Sequence, residues 1–170
     1  MDAIFISHTG ETRLGDIWIA ASGEGLVAID FPSSESDFTA RLAGRYGCPV
    51  SLDSSRLAEA AIQLREYAAG TRREFSLPVD WSQLTPFQRR ALGATAEIPY
   101  GETRTYKEIA VLLGNPRSAR AVGRAEALNP LSLVIPCHRV IGSDHKLHGY
   151  GSGEGLKTKD WLLRMEEGLL

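Results

Sequence analysis

The strong helix-start signals in this chain all fall in its second half, and this placement constrains the fold more than any other sequence feature. Thr85-Pro86-Phe87-Gln88 is a capping box with proline at the first helical position, where the missing N–H is not needed. Thr105-Tyr106-Lys107-Glu108 is a second capping box, and the short helix it opens ends at Gly114. Asn115-Pro116 starts a third helix that runs to about Leu128, before Asn129-Pro130 closes it. Two short helices joined by Gly-Asn-Pro form a helix-turn-helix pattern. A final amphipathic helix is expected from about Leu156 to Glu167.

The first half has a different grammar. Ala3–Ser7, Asp16–Ala21 and Leu26–Phe31 are rich in Ile, Val and Phe, and Ser22-Gly23-Glu24-Gly25 supplies a hairpin turn between the latter two. Helices are expected over Glu35–Tyr46 and Arg56–Ala69; in the second, Leu57, Ala61, Leu64 and Ala68 recur at helical spacing and Gly70 stops it. Thr71–Gln83 alternates Phe75, Leu77 and Val79 around Pro78, which predicts a last strand running into a linker. The expected class is α+β. A small N-terminal antiparallel-sheet domain over residues 1–80 precedes a helical, helix-turn-helix (winged-helix-like) domain over residues 85–170.

A chain of 170 residues can bury a genuine core. Its apolar runs are only a few residues long, so no segment is expected to span a bilayer, and no basic start followed by an apolar run marks a secretory signal. A cytoplasmic monomer without a membrane partner is the expectation. Two cysteines cannot build a disulfide framework, and the four histidines do not pair with them at zinc-site spacing, so no metal and no cofactor are expected. Cys48 lies in the turn-like Tyr46-Gly47-Cys48-Pro49 and is expected to be inert.

Net charge is −2 over the whole chain, but it is unevenly spread. Residues 1–84 hold 7 Lys/Arg against 12 Asp/Glu, whereas residues 85–170 hold 12 against 9. From Arg104 to Arg124 there are five basic residues and one acid, Glu108. Arg117, Arg120 and Arg124 recur at i, i+3 and i+7 and share one helix face. Gly123 sits inside that helix at a cost of about 1 kcal/mol relative to alanine, which a close approach by a sugar-phosphate backbone would explain. The face suits phosphate binding; a solvated arginine face on a packed helix fits the same pattern.

The most specific segment is Asn129–Val140, in which an apolar run delivers Pro136-Cys137-His138-Arg139-Val140. The thiolate is the reactive form of cysteine, and nearby cations lower its pKa from about 8.5. His138 can accept the thiol proton directly or through water, and a carboxylate can orient the imidazole. A buried structural cysteine with a chance neighbour is the plainer alternative for an isolated Cys-His pair.

The wider arrangement resembles the O6-alkylguanine-DNA alkyltransferase family across nearly all of residues 85–170. Pro136-Cys137-His138-Arg139-Val140 matches that family's active-site motif. Thr85-Pro86-Phe87-Gln88, Ile98-Pro99-Tyr100-Gly101, Thr105-Tyr106 and Ala119-Arg120-Ala121-Val122-Gly123 precede it in the family's order. Asn129-Pro130, Gly149-Tyr150-Gly151 and Trp161-Leu162-Leu163 with Glu166 complete the match. The first third resembles the family's supporting domain in size and in strand-helix order.

The resemblance implies a DNA-repair protein that moves an alkyl group from O6-alkylguanine onto Cys137, in double-stranded DNA approached from the minor groove with the damaged base flipped out. It makes Cys137 the nucleophile, His138 its base through a water, and Glu166 the group that steadies His138. Tyr106 is placed near the target nucleotide and Asn129 braces the active-site turn. Arg120 becomes the arginine that fills the gap left by the flipped base, with Gly123 allowing close approach to the groove. Lys107, Asn115 and Ser143 match backbone-contacting positions, while Val140, Tyr150 and Gly151 line the guanine pocket. Where relatives carry glycine or another small residue, this chain has His145 and His148; a bulky His148 at the pocket mouth is expected to narrow the range of alkyl groups. Three alternatives account for less: a non-catalytic relative leaves Cys137 without a purpose, a helix-turn-helix regulator leaves Pro136–Arg139 unexplained, and a thiol hydrolase leaves Arg120 unexplained.

Overall fold

Alternating apolar residues give the N-terminal strands one face for a helix to cover. In the computed structural model, which describes residues 3–170, β1 (Ile4–His8), β2 (Trp18–Ala21) and β3 (Leu26–Asp30) form an antiparallel meander. Ile4, Ile6, Trp18, Ala20 and Val27 meet Phe38 and Leu42 of α1 (Glu35–Tyr46) in one buried cluster. Ser34 caps α1 by accepting from the Asp37 N–H, and Gly47 ends it at φ 62°, a left-handed conformation suited to glycine. The sheet gains a fourth strand that the sequence did not suggest: β4 (Val50–Leu52) lies parallel to β1 at the edge, directly after the expected turn.

The helix expected over Arg56–Ala69 is shorter. α2 spans Ala58–Ala68 because Asp53 takes the Arg56 N–H into a side-chain turn and Arg56 lies over the Phe5 ring instead. Residues 71–83 do not form the expected strand either. Pro78 has no N–H to give to a ladder, and the segment makes one isolated bridge, Val79 to Leu26. That bridge requires Gly25, where an added Cβ would stand 2.6 Å from the Pro78 carbonyl oxygen.

The chain divides into two compact units between Trp81 and Ser82. In the second unit both capping boxes form, at the starts of α3 (Pro86–Ala96) and α4 (Tyr106–Leu112). The helix expected from Asn115 opens as a 3-10 turn over Pro116–Ser118 before becoming α5 (Ala119–Ala127). α4 packs on α5, and Ile109, Ala110 and Val122 join Ile98 and Val140 in the core between them. Two short parallel strands, β5 (Arg104–Thr105) and β6 (Val140–Ile141), tie the start of α4 to the residues after Cys137. The chain finishes with α6 (Leu156–Glu166). Among the described residues, no helix is long and apolar enough to cross a membrane.

Thr105 is the residue through which capping bears on the site, since α4 begins with Tyr106. Its hydroxyl accepts from the Glu108 N–H at 3.1 Å while the Glu108 carboxylate accepts from the Thr105 N–H at 2.6 Å. Thr105→Ala is expected to cost about 1 kcal/mol, measured as a lower denaturant midpoint with an unchanged slope. A midpoint equal to that of the unsubstituted chain would show that packing alone holds the start of α4.

Candidate active site

Cys137 is delivered by a turn that the preceding eight residues build. Asn129 straddles it: the side-chain nitrogen donates to the Ile135 carbonyl at 2.8 Å and the side-chain oxygen accepts from the Leu131 N–H at 3.0 Å. Leu133 adopts φ 78°, an unfavourable conformation for a residue with a Cβ, and burial of Leu131, Leu133 and Ile135 holds it there. Cys137 then opens a single 3-10 turn, Cys137–Arg139, and is 6 % exposed.

His138 and Arg139 converge on one carboxylate from α6. His138 Nε2 lies 2.8 Å from Glu166 Oε1, while Arg139 Nε and one terminal nitrogen donate to Glu166 Oε2 and Oε1, each at 2.9 Å. Arg139 also donates to the Ile98 carbonyl at 2.6 Å, and the Gly101 N–H donates to Glu166 Oε2 at 3.0 Å. Burial would raise the Glu166 carboxyl, but the hydrogen bonds from His138 and Arg139 outweigh it and hold it down to about 2. Complete burial lowers the His138 pKa against the pull of Glu166, so the imidazole is neutral near pH 7. With Nε2 facing a carboxylate, the tautomer carries its proton there, and Nδ1 is the basic nitrogen.

The expected depression of the thiol by nearby cations is not what the structure shows. Arg139 is committed to Glu166 and Ile98, and burial pushes the Cys137 thiol up to about 11 despite the hydrogen bonds of Asn129 and Ser132 and the charge of Lys159. The cysteine therefore rests protonated and needs a base.

Cys137 lines a cavity of about 220 Å³ together with Tyr106, Gly123, Glu126, Ala127, Gly149, Tyr150 and Gly151. A second, outer hollow of about 400 Å³ shares Tyr106, Gly123 and Gly149 with it and is bordered by Lys107, Ala119, Arg120, Ser143 and His148. Arg120, exposed on α5, thus stands at the hollow that adjoins the cavity holding the thiol. The Tyr106 hydroxyl donates to the His148 carbonyl at 2.9 Å, and burial pushes its pKa up to about 12, so it remains a proton donor. Gly123 is not required by Tyr106, since an added Cβ would lie 3.7 Å from its ring; its absent side chain leaves open space between the two hollows.

Several expected site residues do not line the inner cavity. Val140 is fully buried in the core with Ile98, Ile109 and Val122, and only its carbonyl, accepting from Lys159 Nζ at 2.6 Å, faces the site's supports. Asn115 spends its side-chain oxygen on the Arg117 N–H at 3.2 Å. Arg117 and Arg124 are exposed and do not border either hollow. His148 borders the outer hollow, but its imidazole turns to Asp144 at 2.9 Å and is absent from the inner cavity's lining. His148→Gly is therefore expected to leave the ratio of benzyl to methyl transfer little changed, and a marked rise in that ratio would show that the ring does crowd the entrance.

Three residues were missed in the sequence or given the wrong part. Arg139 is a structural partner of Glu166 and not an activator of the thiol. Lys159 is fully buried, and its ammonium donates to the carbonyls of Val140, His148 and Gly149, pinning the 142–149 loop to β6. Its signal was spacing: Lys159, Leu162 and Glu166 recur at i, i+3 and i+7 on the buried face of α6. Glu126 is likewise buried, on the same face of α5 as Val122 and Ala125.

Comparison with known proteins gives both units the same affiliation. Residues 86–168 match the model described as 6-O-methylguanine DNA methyltransferase, DNA binding domain, and residues 6–81 match the ribonuclease-like domain of the same name. A methylated-DNA–protein-cysteine methyltransferase of Methanosarcina barkeri is 44% identical over 161 residues, covering 92% of this chain and 94% of its own. The constitutive protein of that name from Bacillus subtilis is 40% identical over 160 residues, covering 93% of each. A crystal structure of Mycobacterium tuberculosis OGT in complex with DNA superposes with a TM-score of 0.80 at 35% identity, over 98% of this chain and 94% of that one.

Proposed function

This chain belongs to the 6-O-methylguanine DNA methyltransferase family, and from that premise we propose that it repairs DNA by moving an alkyl group from a damaged base onto Cys137. The observation that carries the assignment is the placement of a buried, protonated thiol in the wall of a cavity that adjoins a hollow bordered by Arg120 and Lys107. An O6-alkylguanine must leave the base stack to reach that thiol, so the nucleotide is flipped from duplex DNA at a cost of a few kcal/mol. α5 enters the minor groove, and Arg120, at the border of the outer hollow, fills the space that the base leaves. Lys107 and Ser143 border the same hollow and contact the sugar-phosphate backbone there, with Arg117 in the 3-10 turn before α5 and Arg124 on α5 adding charge.

The chemistry follows from the protonation states. His138 Nδ1 takes the Cys137 proton through a water, and Glu166 holds the resulting imidazolium. The sulfur attacks the alkyl carbon, the S–C bond forms as the C–O bond breaks, and the electron pair passes to the guanine ring. Tyr106 exchanges the His148 carbonyl for the base and donates a hydrogen bond as that charge develops. The proton released from the thiol ends on the base, which leaves as ordinary guanine. Tyr150 and Gly151 flank the base within the cavity, and Asn129 keeps the cysteine turn in register. The product thioether has no nucleophile poised to cleave it, so each molecule acts once. Residues 85–170 carry this chemistry and residues 1–80 support it. The protein works as a monomer in the cytoplasm, where a reducing environment keeps Cys137 a thiol.

Arg120→Ala is expected to slow transfer from duplex DNA by more than tenfold, on the order of a lost charge-assisted contact, while reaction with free O6-alkylguanine base stays near normal. Affinity for duplex DNA should also fall as salt is raised, because phosphate contacts release counterions. Single-turnover rates on the two substrates check this; equal losses on both would place Arg120 inside the pocket.

A further inference from the structure

Glu126 is an ionisable group that the mechanism above does not use. It is 6 % exposed, on the buried face of α5. Its Oε1 lies 2.6 Å from the Thr95 hydroxyl of α3, and its Oε2 is closed to solvent and has no hydrogen-bond partner. The nearby cation, Lys159 of α6, donates to three backbone carbonyls, and no ion pair to Glu126 forms among the described residues. A carboxylate here would be a buried charge with a single donor, a state that a protein avoids by neutralising the group.

Thr95 has a place for the neutral form. Its hydroxyl has a second acceptor, the Ala91 carbonyl, at 3.2 Å. A proton on Glu126 Oε1 can be donated to Thr95 Oγ1, which then gives its own proton to Ala91; a carboxylate must compete with Ala91 for that one proton. Glu126 also lines the cavity that holds the thiol, and a charge, unlike a hydrogen bond, need not point into the cavity to be felt there. The sulfur carries negative charge once its proton has left, and the guanine carries it as the C–O bond breaks. A second negative charge in the same wall would oppose both. We propose that Glu126 is held as a neutral carboxylic acid donating to Thr95, and that its ionisation is a pH-sensitive brake on transfer to Cys137. The brake rests on the repair function given above, whereas the protonation state does not.

Burial pushes the Glu126 carboxyl up to about 7, against the hydrogen bond with Thr95 and the charge of Lys159. Tyr106 of α4, Cys137 of the 3-10 turn and Tyr150 line the cavity with it, and burial keeps all three protonated at that pH. From α3 the contact is the uncharged Thr95, and Lys159 of α6 loses its charge only near 8. The brake therefore engages as pH rises through about 7. Stability moves in the same sense. The folded pKa lies above the usual unfolded value of about 4.3, so the stability carried by the neutral form is fully present below that value and is lost as pH rises through about 7.

The test compares the full wild-type chain with Glu126→Gln, whose amide N–H can donate to Thr95 as the carboxylic acid does and which cannot ionise. Single-turnover methyl transfer from a saturating duplex carrying O6-methylguanine is measured across neutral pH. The ratio of the wild-type rate to the Glu126→Gln rate, in which the titrations common to both proteins cancel, should fall about fivefold from about pH 6 to about pH 8. In denaturant melts without DNA, the wild type should lose stability relative to Glu126→Gln from about pH 4.3 to about pH 7, with no further loss above. A rate ratio that is constant with pH, as a purely structural role would give, overturns the brake; a constant stability difference overturns the neutral acid. If Glu126→Gln does not fold, the infrared spectrum of the wild type decides. A carboxylic-acid C=O band should persist at about pH 6, where exposed carboxyls are ionised, and vanish by about pH 8; a wild type without that band overturns the assignment. A wild type that takes no methyl from the duplex overturns the repair function and the brake with it, while the melts still decide the state of Glu126.

Discussion

Replacing Cys137 with alanine is expected to abolish alkyl transfer completely while leaving affinity for duplex DNA nearly intact. The sulfur is the atom to which the alkyl group becomes bonded, and a methyl side chain offers no substitute. Binding is a separate matter, because the groups that meet phosphates, Arg120, Lys107 and Ser143, border the outer hollow and not the buried thiol. Removing one small, buried side-chain atom should cost only about 1 kcal/mol of stability, so the variant will be folded when assayed. Cys48→Ser provides the contrast: Cys48 is half-buried against the N-terminal core and should transfer alkyl groups at the normal rate. Persistent transfer by Cys137→Ala, or loss of transfer in Cys48→Ser, would show that the acceptor had been assigned to the wrong residue.

Glu166→Ala should produce the largest loss of stability of any single substitution at the site. It leaves the buried Arg139 guanidinium without its bidentate partner, removes the group that holds His138, and deprives the Gly101 N–H of its acceptor. Breaking a buried ion pair from one side costs about 3–5 kcal/mol. Transfer should fall with it, since His138 loses both its orientation and the charge that supports its protonated form. The same carboxylate gives a pH signature. Its pKa in the folded protein, about 2, lies below the usual unfolded value of about 4.3, so its contribution is fully present above that value and is lost as pH falls toward about 2. Denaturant melts at neutral pH and near pH 3 should therefore converge for wild type and Glu166→Ala as the solution is acidified. A variant as stable as wild type at neutral pH would mean that Arg139 and His138 are held by their other contacts.

The features legible in the sequence were those set by neighbours along the chain. Both capping boxes form because each is a reciprocal pair of bonds within four residues, and Glu35–Tyr46 is a helix because Ser34 and Gly47 punctuate it. Long-range placement was less legible. Residues 71–83 alternate as a strand does, but Pro78 and the approach of Gly25 reduce them to one bridge. Lys159 and Glu126 read as ordinary charged helix positions, and only the packing of α6 and α5 shows both buried beside the cysteine. His148 was expected at the pocket mouth and does border the outer hollow, but its bond to Asp144 across the turn around Gly142 was not legible. Cys137, Tyr106, Gly123, Tyr150 and Gly151 are separated along the chain and meet at one cavity, which no spacing rule could have shown.

The central claim is that the alkyl group ends irreversibly on Cys137, and one measurement addresses it directly. Wild-type protein is incubated with an excess of duplex carrying O6-methylguanine, repaired DNA is counted over time, and the protein is then weighed intact and mapped by peptide. Repaired DNA should rise to one equivalent per protein and stop, with a single methyl group found on the peptide that contains Cys137 and none on Cys48. Continued repair beyond one equivalent, or a plateau with the methyl group on another residue, would contradict it.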